Sequence, residues 1–134
     1  MDFELIEHAL PILLLGAGVT IEITAVSVAI GFFIGLFVGI ARISQMKILR
    51  ILATIYADCI RGTPLLVQIF LIYFALPIVT GHRVEPFAAA VIACGINSGA
   101  YVSEIFRAGI QSIDIGQTEA GRSLGLTWWQ TMYY

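Results

Sequence analysis

An arginine stands inside an otherwise apolar stretch, and residues that end or begin helices follow it directly. Arg61 precedes Gly62, Thr63 and Pro64 within the run YADCIRGTPLLVQIFLIYFALP at 56–77. Glycine suits the position just past a helix end, threonine suits a helix N-cap, and proline suits the first helical residue. The sequence therefore predicts that one helix ends and another begins inside the apolar run.

The chemistry that such a break offers is the binding of an anion. A helix N-terminus has free N–H groups and a partial positive charge, and Arg61 adds a planar, permanently charged fork. If the apolar core begins near Arg50, Arg61 lies about 16 Å into a bilayer core of about 30 Å. Broken helices point at anionic substrates in transporters. The predicted path residues of this segment are Arg61, Thr63, Pro64 and Gln68.

A second polar group lies further along, in NSGAYVSEIFRAGI. Asn97, Tyr101 and Glu104 follow the i, i+4, i+7 spacing, which places them on one face of a helix. Polar residues in membrane helices normally face the protein interior or an aqueous path. Together with Ser98, this stripe is predicted to line the same path.

Simpler interpretations remain open for both groups. Arg61 could pair with Asp58 or Glu104, or it could lie near the inner headgroups if the membrane boundary comes later in the chain. The stripe could bond a neighbouring helix, with Glu104 paired to Arg107 or Arg42. Each alternative makes these side chains structural.

The composition indicates what class of protein contains these residues. Of 134 residues, 59% are hydrophobic and 12% are charged, and the mean hydropathy is +0.94. Soluble domains are roughly half apolar and a quarter charged, so we predict an all-α membrane protein. We expect no nucleic-acid partner, because no basic patch is present. We expect no metal or other cofactor, because His8 and His82 are far apart and no metal-ligand cluster occurs.

The predicted elements follow from the apolar segments 9–41, 51–79 and 86–106. The first is too long for one crossing of about 20 residues, and GAG at 16–18 offers a break. We therefore predict an interfacial helix over 3–15, a first span over 19–41 and two further spans. Within the first span, Gly31, Gly35 and Gly39 share one face and predict a seam against another helix.

Positive charge predicts the orientation of these spans. The loop at 42–50 contains Arg42, Lys47 and Arg50 and no acid, whereas the loop at 79–85 has one arginine. The positive-inside rule then places the N-terminus and 79–85 outside, and 42–50 and the tail inside.

The tail predicts a short helix and then the start of a fourth span. QTEAGRSL is a helix candidate that Gly125 would stop, and Thr127 with Gln130 forms a capping box. Interfacial aromatics follow, namely Trp128, Trp129, Tyr133 and Tyr134. The sequence is therefore expected to be a fragment of a longer protein, and its inner loop to be a docking element.

The tail also resembles a known family. TEAGRSLGLTWWQTM is similar to the EAA loop of permease subunits of ABC importers. GVTIEIT, RGTPLLVQIFLIYFALP and NSGAYVSEIFRAGIQSI resemble the polar-amino-acid branch, over about residues 15–134. Glu119, Ala120 and Gly125 match the loop's pattern. Gly121 stands where the family more often has alanine, which is expected to loosen the helix slightly.

The resemblance implies one partial permease domain over 1–134, from the core of a type I ABC importer in the bacterial inner membrane, with the last two spans of a usual five-span core absent. It implies transport of a polar amino acid such as glutamine, glutamate, arginine or histidine. The implied partners are an ATP-binding cassette ATPase subunit, an extracytoplasmic amino-acid-binding protein, a second identical or homologous permease subunit and membrane lipid. ATP hydrolysis would belong to the ATPase, so this chain is not expected to be an enzyme.

The ATPase is expected to act on the coupling loop at 112–126, through Gln117, Glu119, Ala120, Gly121, Ser123, Leu124 and Gly125. A scaffold subunit that transports nothing is the alternative function. It would need neither an intramembrane arginine nor a polar stripe.

Overall fold

The computed structural model describes the backbone of residues 3–133 and the side chains of 9–127, 129–131 and 133. The helices are α1 (Phe3–Arg42), α2 (Lys47–Arg61), α3 (Leu65–Phe70), a π-helical turn (Leu71–Ala75), α4 (Leu76–Thr80), α5 (Pro86–Gln111), α6 (Ile115–Ser123) and α7 (Trp128–Tyr133). No strand occurs in the described part of the chain. The predicted all-α class is confirmed.

The first helix is continuous, so the predicted break at 16–18 and the separate helix over 3–15 are wrong. Gly16 and Gly18 are both helical. A glycine inside a helix costs only about 1 kcal/mol relative to alanine, and the long apolar neighbourhood outweighs that cost. The membrane-length part of α1 runs over Ala9–Arg42.

The glycine seam of α1 packs against α5. A Cβ added to Gly31 would lie 2.5 Å from the Ser98 side chain, and one added to Gly35 would lie 2.5 Å from Val102. Gly39 similarly faces Phe106. Partner numbers rise together along both helices, so α1 and α5 run parallel. The predicted seam is confirmed, and its partner is now identified.

The parallel packing of α1 and α5 decides what the segment between them must do. Within residues 3–133, two helices are long and apolar enough to cross a membrane, Ala9–Arg42 and Pro86–Gln111. Since both run the same way, residues 43–85 must return to the end where α1 begins. Lys47–Arg61 and Leu65–Thr80 make this return with a bend of 101° between them. The second segment is thus one sharply broken crossing and not a straight span.

A π-helical turn at Leu71–Ala75 was not anticipated. Its cause is Pro77, which has no N–H to bond the carbonyl four residues earlier and so disrupts the regular ladder.

The tail contains the predicted helix stop and the predicted capping box. Gly125 has φ +81°, and the amides of Gly125 and Leu126 donate to the carbonyls of Arg122 and Gly121, at 3.0 and 3.1 Å. These paired bonds form a Schellman stop for α6. The Thr127 amide donates to the Gln130 side chain at 2.9 Å, as a capping box requires. Of the predicted interfacial aromatics, the Trp128 side chain and Tyr134 lie outside the described residues.

Candidate functional site

The break occurs where RGTP predicts it, but the capping roles differ. Gly62 has φ −79° and is not left-handed, and Pro64, not Thr63, is the N-cap residue of α3. The Thr63 hydroxyl instead donates to the Cys59 carbonyl at 2.7 Å. Thr63 therefore satisfies a carbonyl at the end of α2 and is not the predicted N-cap. Gly62 does follow the last residue of α2, as predicted, but as a C-cap without the left-handed conformation of a C′ glycine.

Gln68 holds the break together. Its Nε2 donates to the carbonyls of Ile60 at 2.8 Å and Thr63 at 3.0 Å, so it satisfies two carbonyls on the α2 side. Its Oε1 accepts from Asn97 Nδ2 on α5 at 3.3 Å. Gln68 is only 7% exposed. The start of α3 and the α5 stripe are therefore in direct contact, through this pair of amides.

A cavity lies beside this amide pair. Its volume is about 230 Å³, and it lies between α1, the start of α3 and the middle of α5. Asn97, Ser98 and Leu65 line it together with Thr24 and Ser27 of α1. Ser27 was missed by the sequence reasoning, because a lone serine in an apolar run carries no signal of its own. The surface of the cavity is almost entirely apolar, although four polar side chains border it, and no charged residue lines it.

The charged residues gather separately, around Glu104. Its Oε2 accepts from Arg42 and, at 3.1 Å, from Arg61. Its Oε1 accepts from Arg107. The guanidinium carbon of Arg61 also lies 5.5 Å from the centre of the Tyr101 ring, within cation–π range. The pairings left open between Arg61 and Glu104, and between Glu104 and both Arg42 and Arg107, are therefore observed, whereas no ion pair joins Arg61 to Asp58 among the described residues.

The depth of Arg61 differs from the midway position that a straight span predicts. Its partner Glu104 lies about 10 Å before the end of α5, and the same carboxylate bonds Arg42, the last residue of α1. Arg61 is therefore level with the final turns of both spans, because the 101° bend carries α2 across their ends.

The predicted path residues consequently form two separate groups along the length of α5. Asn97 and Gln68 belong to the first, with Ser98 and the start of α3 after Pro64. Arg61, Tyr101 and Glu104 belong to the second, about 10 Å further along α5. Thr63 lies in the connection between α2 and α3. Tyr56 also bridges the helices, because its hydroxyl donates to the Ile96 carbonyl at 2.7 Å; nothing in its spacing indicated this.

The predicted coupling residues lie on α6 and its C-terminal stop. Gly121 is half-buried and the others are exposed, namely Gln117, Glu119, Ala120, Ser123, Leu124 and Gly125. A Cβ at Gly121 would lie 2.9 Å from Cγ2 of Thr131 on α7. The glycine that departs from the resembled pattern therefore lets α7 approach α6 closely.

The chain is similar to known transport proteins. The family model described as "Binding-protein-dependent transport system inner membrane component" matches residues 31–134. The glutamine transport system permease protein GlnP of Escherichia coli (strain K12) is 44% identical over 134 residues, covering 99% of this chain and 61% of that protein. The arginine transport system permease protein ArtQ of Bacillus subtilis (strain 168) is 40% identical over 132 residues, covering 98% and 60%.

A solved structure shows the same fold. The crystal structure of an amino acid ABC transporter with histidines matches this chain with a TM-score of 0.90 and 43% sequence identity. The match covers 98% of this chain and 61% of that one. The chain thus spans about three fifths of the length of each of these relatives.

Proposed function

Since the chain belongs to the family of binding-protein-dependent transport system inner membrane components, we propose that it forms part of the translocation path of an importer for a polar amino acid. Relatives named for glutamine and arginine transport support this class of substrate. Glutamate and histidine belong to the same class. The path is not catalytic, and a separate ATPase subunit supplies the energy.

The observation that carries this proposal is the broken return segment, which brings polar side chains against α5 at two depths. The amide pair of Gln68 and Asn97 lies beside the cavity of about 230 Å³. Amides both donate and accept, so they suit the changing groups of a polar side chain in transit. The charged cluster around Glu104 follows about 10 Å further along.

The charged cluster suits the backbone of an amino acid. Three guanidinium groups surround one carboxylate, so positive charge is in excess. The Arg61 side chain is 35% exposed and is the most accessible of the three. A substrate carboxylate can therefore bond Arg61 while Glu104 keeps Arg42 and Arg107. This exchange avoids burying an unpaired charge, which would be prohibitively costly.

The partners follow from the same proposal. The exposed face of α6, with Glu119 and Ala120, is the docking site for the ATP-binding cassette ATPase in the cytoplasm. An extracytoplasmic binding protein delivers the amino acid at the opposite end, near the loop at 79–85. A second permease subunit, identical or homologous, completes the path in the bacterial inner membrane.

Reconstituted transport tests this function. An importer that contains this chain, its ATPase and its binding protein is placed in proteoliposomes, and uptake of labelled glutamine, glutamate, arginine and histidine is measured with ATP. We expect uptake of at least one of these amino acids, and none without ATP. An intact complex that hydrolyses ATP but moves none of them would favour the scaffold alternative.

A further inference from the structure

A second cavity borders the charged cluster around Glu104, at the ends of the two spans. Its volume is about 380 Å³, and it lies between the end of α1, the first half of α2 and the end of α5. Arg42, Arg50 and Arg107 line it, and Ile51 and Ile55 form apolar wall. The proposed transport path uses neither Arg50 nor the two isoleucines.

Two arginines of this cavity have N–H groups without a hydrogen-bond or ion-pair partner among the described residues. Arg50 is exposed and makes no ion pair with another described residue. The Arg42 side chain is only 9% exposed, and its Nε is the one buried side-chain nitrogen or oxygen of the described residues without a hydrogen-bond partner. The nearby acids are Glu104, already shared among arginines, and Asp58, which interacts electrostatically with Arg107. An anion with several oxygens would bond the accessible N–H groups of Arg50, and its charge would offset the positive charge of Arg42 and Arg107 beside it.

The apolar wall distinguishes between kinds of anion. Ile51 and Ile55 are 55% and 53% exposed, and both lie on α2 beside the basic residues. A free inorganic anion gains nothing from such a wall, whereas an acyl chain does. The arginines lie where α1 ends and α5 nears its end, as lipid headgroups would at the end of a membrane span.

We infer that this cavity binds the phosphate of an anionic glycerophospholipid, with Arg42, Arg50 and Arg107 around the phosphate and an acyl chain along Ile51 and Ile55. Arg50 is the residue to substitute, because its replacement breaks no ion pair within the described chain. The inference does not depend on which solute the protein moves.

Lipid retention tests the site. The complete importer containing the chain is purified in mild detergent with equal phosphatidylglycerol and phosphatidylcholine, and the bound lipids are counted by native mass spectrometry. Arg50→Gln should lower phosphatidylglycerol retention about fivefold, the factor that one basic side chain contributes near an anionic surface. Phosphatidylcholine should not change. Arg83→Gln, on the loop at the opposite end, is the matched control and should retain lipid normally.

The two sources of phosphate are separated by a second pair of measurements. Ile55→Ser should weaken phosphatidylglycerol retention as well, and millimolar inorganic phosphate should not displace the lipid. Displacement by phosphate, with Ile55→Ser without effect, would assign the cavity to a free anion and overturn the lipid site. Equal retention of phosphatidylglycerol by the parent importer and Arg50→Gln would also overturn it. If Arg50→Gln does not assemble, Arg50→Lys keeps the charge and should show a smaller loss.

Discussion

Asn97 on α5 donates a hydrogen bond of 3.3 Å to the Oε1 of Gln68 on α3. This bond joins the broken return segment to the helix that packs on α1. Because the same Gln68 amide donates to the Ile60 and Thr63 carbonyls, one side chain both closes the break and connects it to α5.

Gln68→Leu should destabilise the protein. The change keeps the approximate volume of the side chain but leaves the Thr63 carbonyl without its donor, and the Ile60 carbonyl keeps only the Thr63 N–H at 3.3 Å. An unpaired carbonyl that water does not reach costs about 1–3 kcal/mol. We expect a lower melting temperature in detergent, measured by thermal unfolding. Leu66→Gln is the control, because Leu66 is 60% exposed and bonds nothing across the break. Equal melting of Gln68→Leu and the parent would mean that water replaces the amide.

Gly35→Ala should disrupt the seam between α1 and α5. The new methyl group would lie 2.5 Å from Val102 and 3.0 Å from the Gly99 carbonyl, so the helices must separate. Overpacking of this kind costs about 1–3 kcal/mol. Gly18→Ala, on the same helix, meets no atom within 4 Å. It should be neutral or stabilising by up to about 1 kcal/mol. Thermal unfolding of the two variants side by side measures the difference, and similar melting of both would contradict the seam.

The sequence predicts features that depend on local chemistry better than those that depend on tertiary contacts. The glycine spacing of Gly31, Gly35 and Gly39 predicts a seam, but spacing defines a face and not a partner. RGTP predicts the break because proline and glycine act locally. It does not predict the 101° bend, and so the depth of Arg61 calculated for a straight span is wrong.

The remaining differences have similar causes. The Thr63 hydroxyl could either cap the N-terminus of α3 or donate to a carbonyl one turn back in α2. It donates to the exposed Cys59 carbonyl, so it does not cap α3. The stop at Gly125 and the capping box at Thr127 were predicted correctly, since both are completed within a few residues.

Glu119→Lys should uncouple ATP hydrolysis from substrate. Glu119 is exposed on α6, and it makes no side-chain ion pair with a described residue. Reversing its charge should therefore leave folding and membrane insertion intact while weakening contact with the ATPase. The expected result in the assembled importer is loss of substrate-stimulated ATP hydrolysis. Glu85→Lys is the control, because it makes the same charge reversal at the N-cap of α5, far from α6. Normal stimulation in Glu119→Lys would contradict the docking role of this residue.

The orientation of the spans is tested by labelling single cysteines from each side of the membrane. The background lacks Cys59 and Cys94, which are both free. Met46→Cys reports on the loop between α1 and α2, where Met46 is 66% exposed. His82→Cys reports on the opposite loop. It is preferable to Gly81→Cys, because Gly81 has φ +74° and would be strained by a side chain. Met46→Cys should label only from inside and His82→Cys only from outside; labelling from the same side would overturn the topology.

Arg61→Ala should lower uptake without dismantling the complex. Arg61 is one of three arginines on Glu104, so its loss leaves that carboxylate paired with Arg42 and Arg107. Folding is therefore expected to survive, as is basal ATP hydrolysis, because α6 makes no close contact with α2 in the described chain. The substrate carboxylate, however, loses a charge-assisted partner, which corresponds to about tenfold or more in uptake.

Arg61→Lys separates the charge of Arg61 from its shape. Lysine keeps the positive charge but cannot form the planar fork, so uptake should recover only in part. The measurement is the initial rate of labelled amino-acid uptake by the assembled importer in proteoliposomes, beside size-exclusion profiles of each variant. Arg107→Ala is the comparison, because Arg107 also bonds Glu104 but is not among the residues that the sequence predicts to line the path. If Arg61→Ala transports normally, or if Arg61→Ala and Arg107→Ala both prevent assembly, Arg61 is a structural partner of Glu104 and has no direct role in binding substrate.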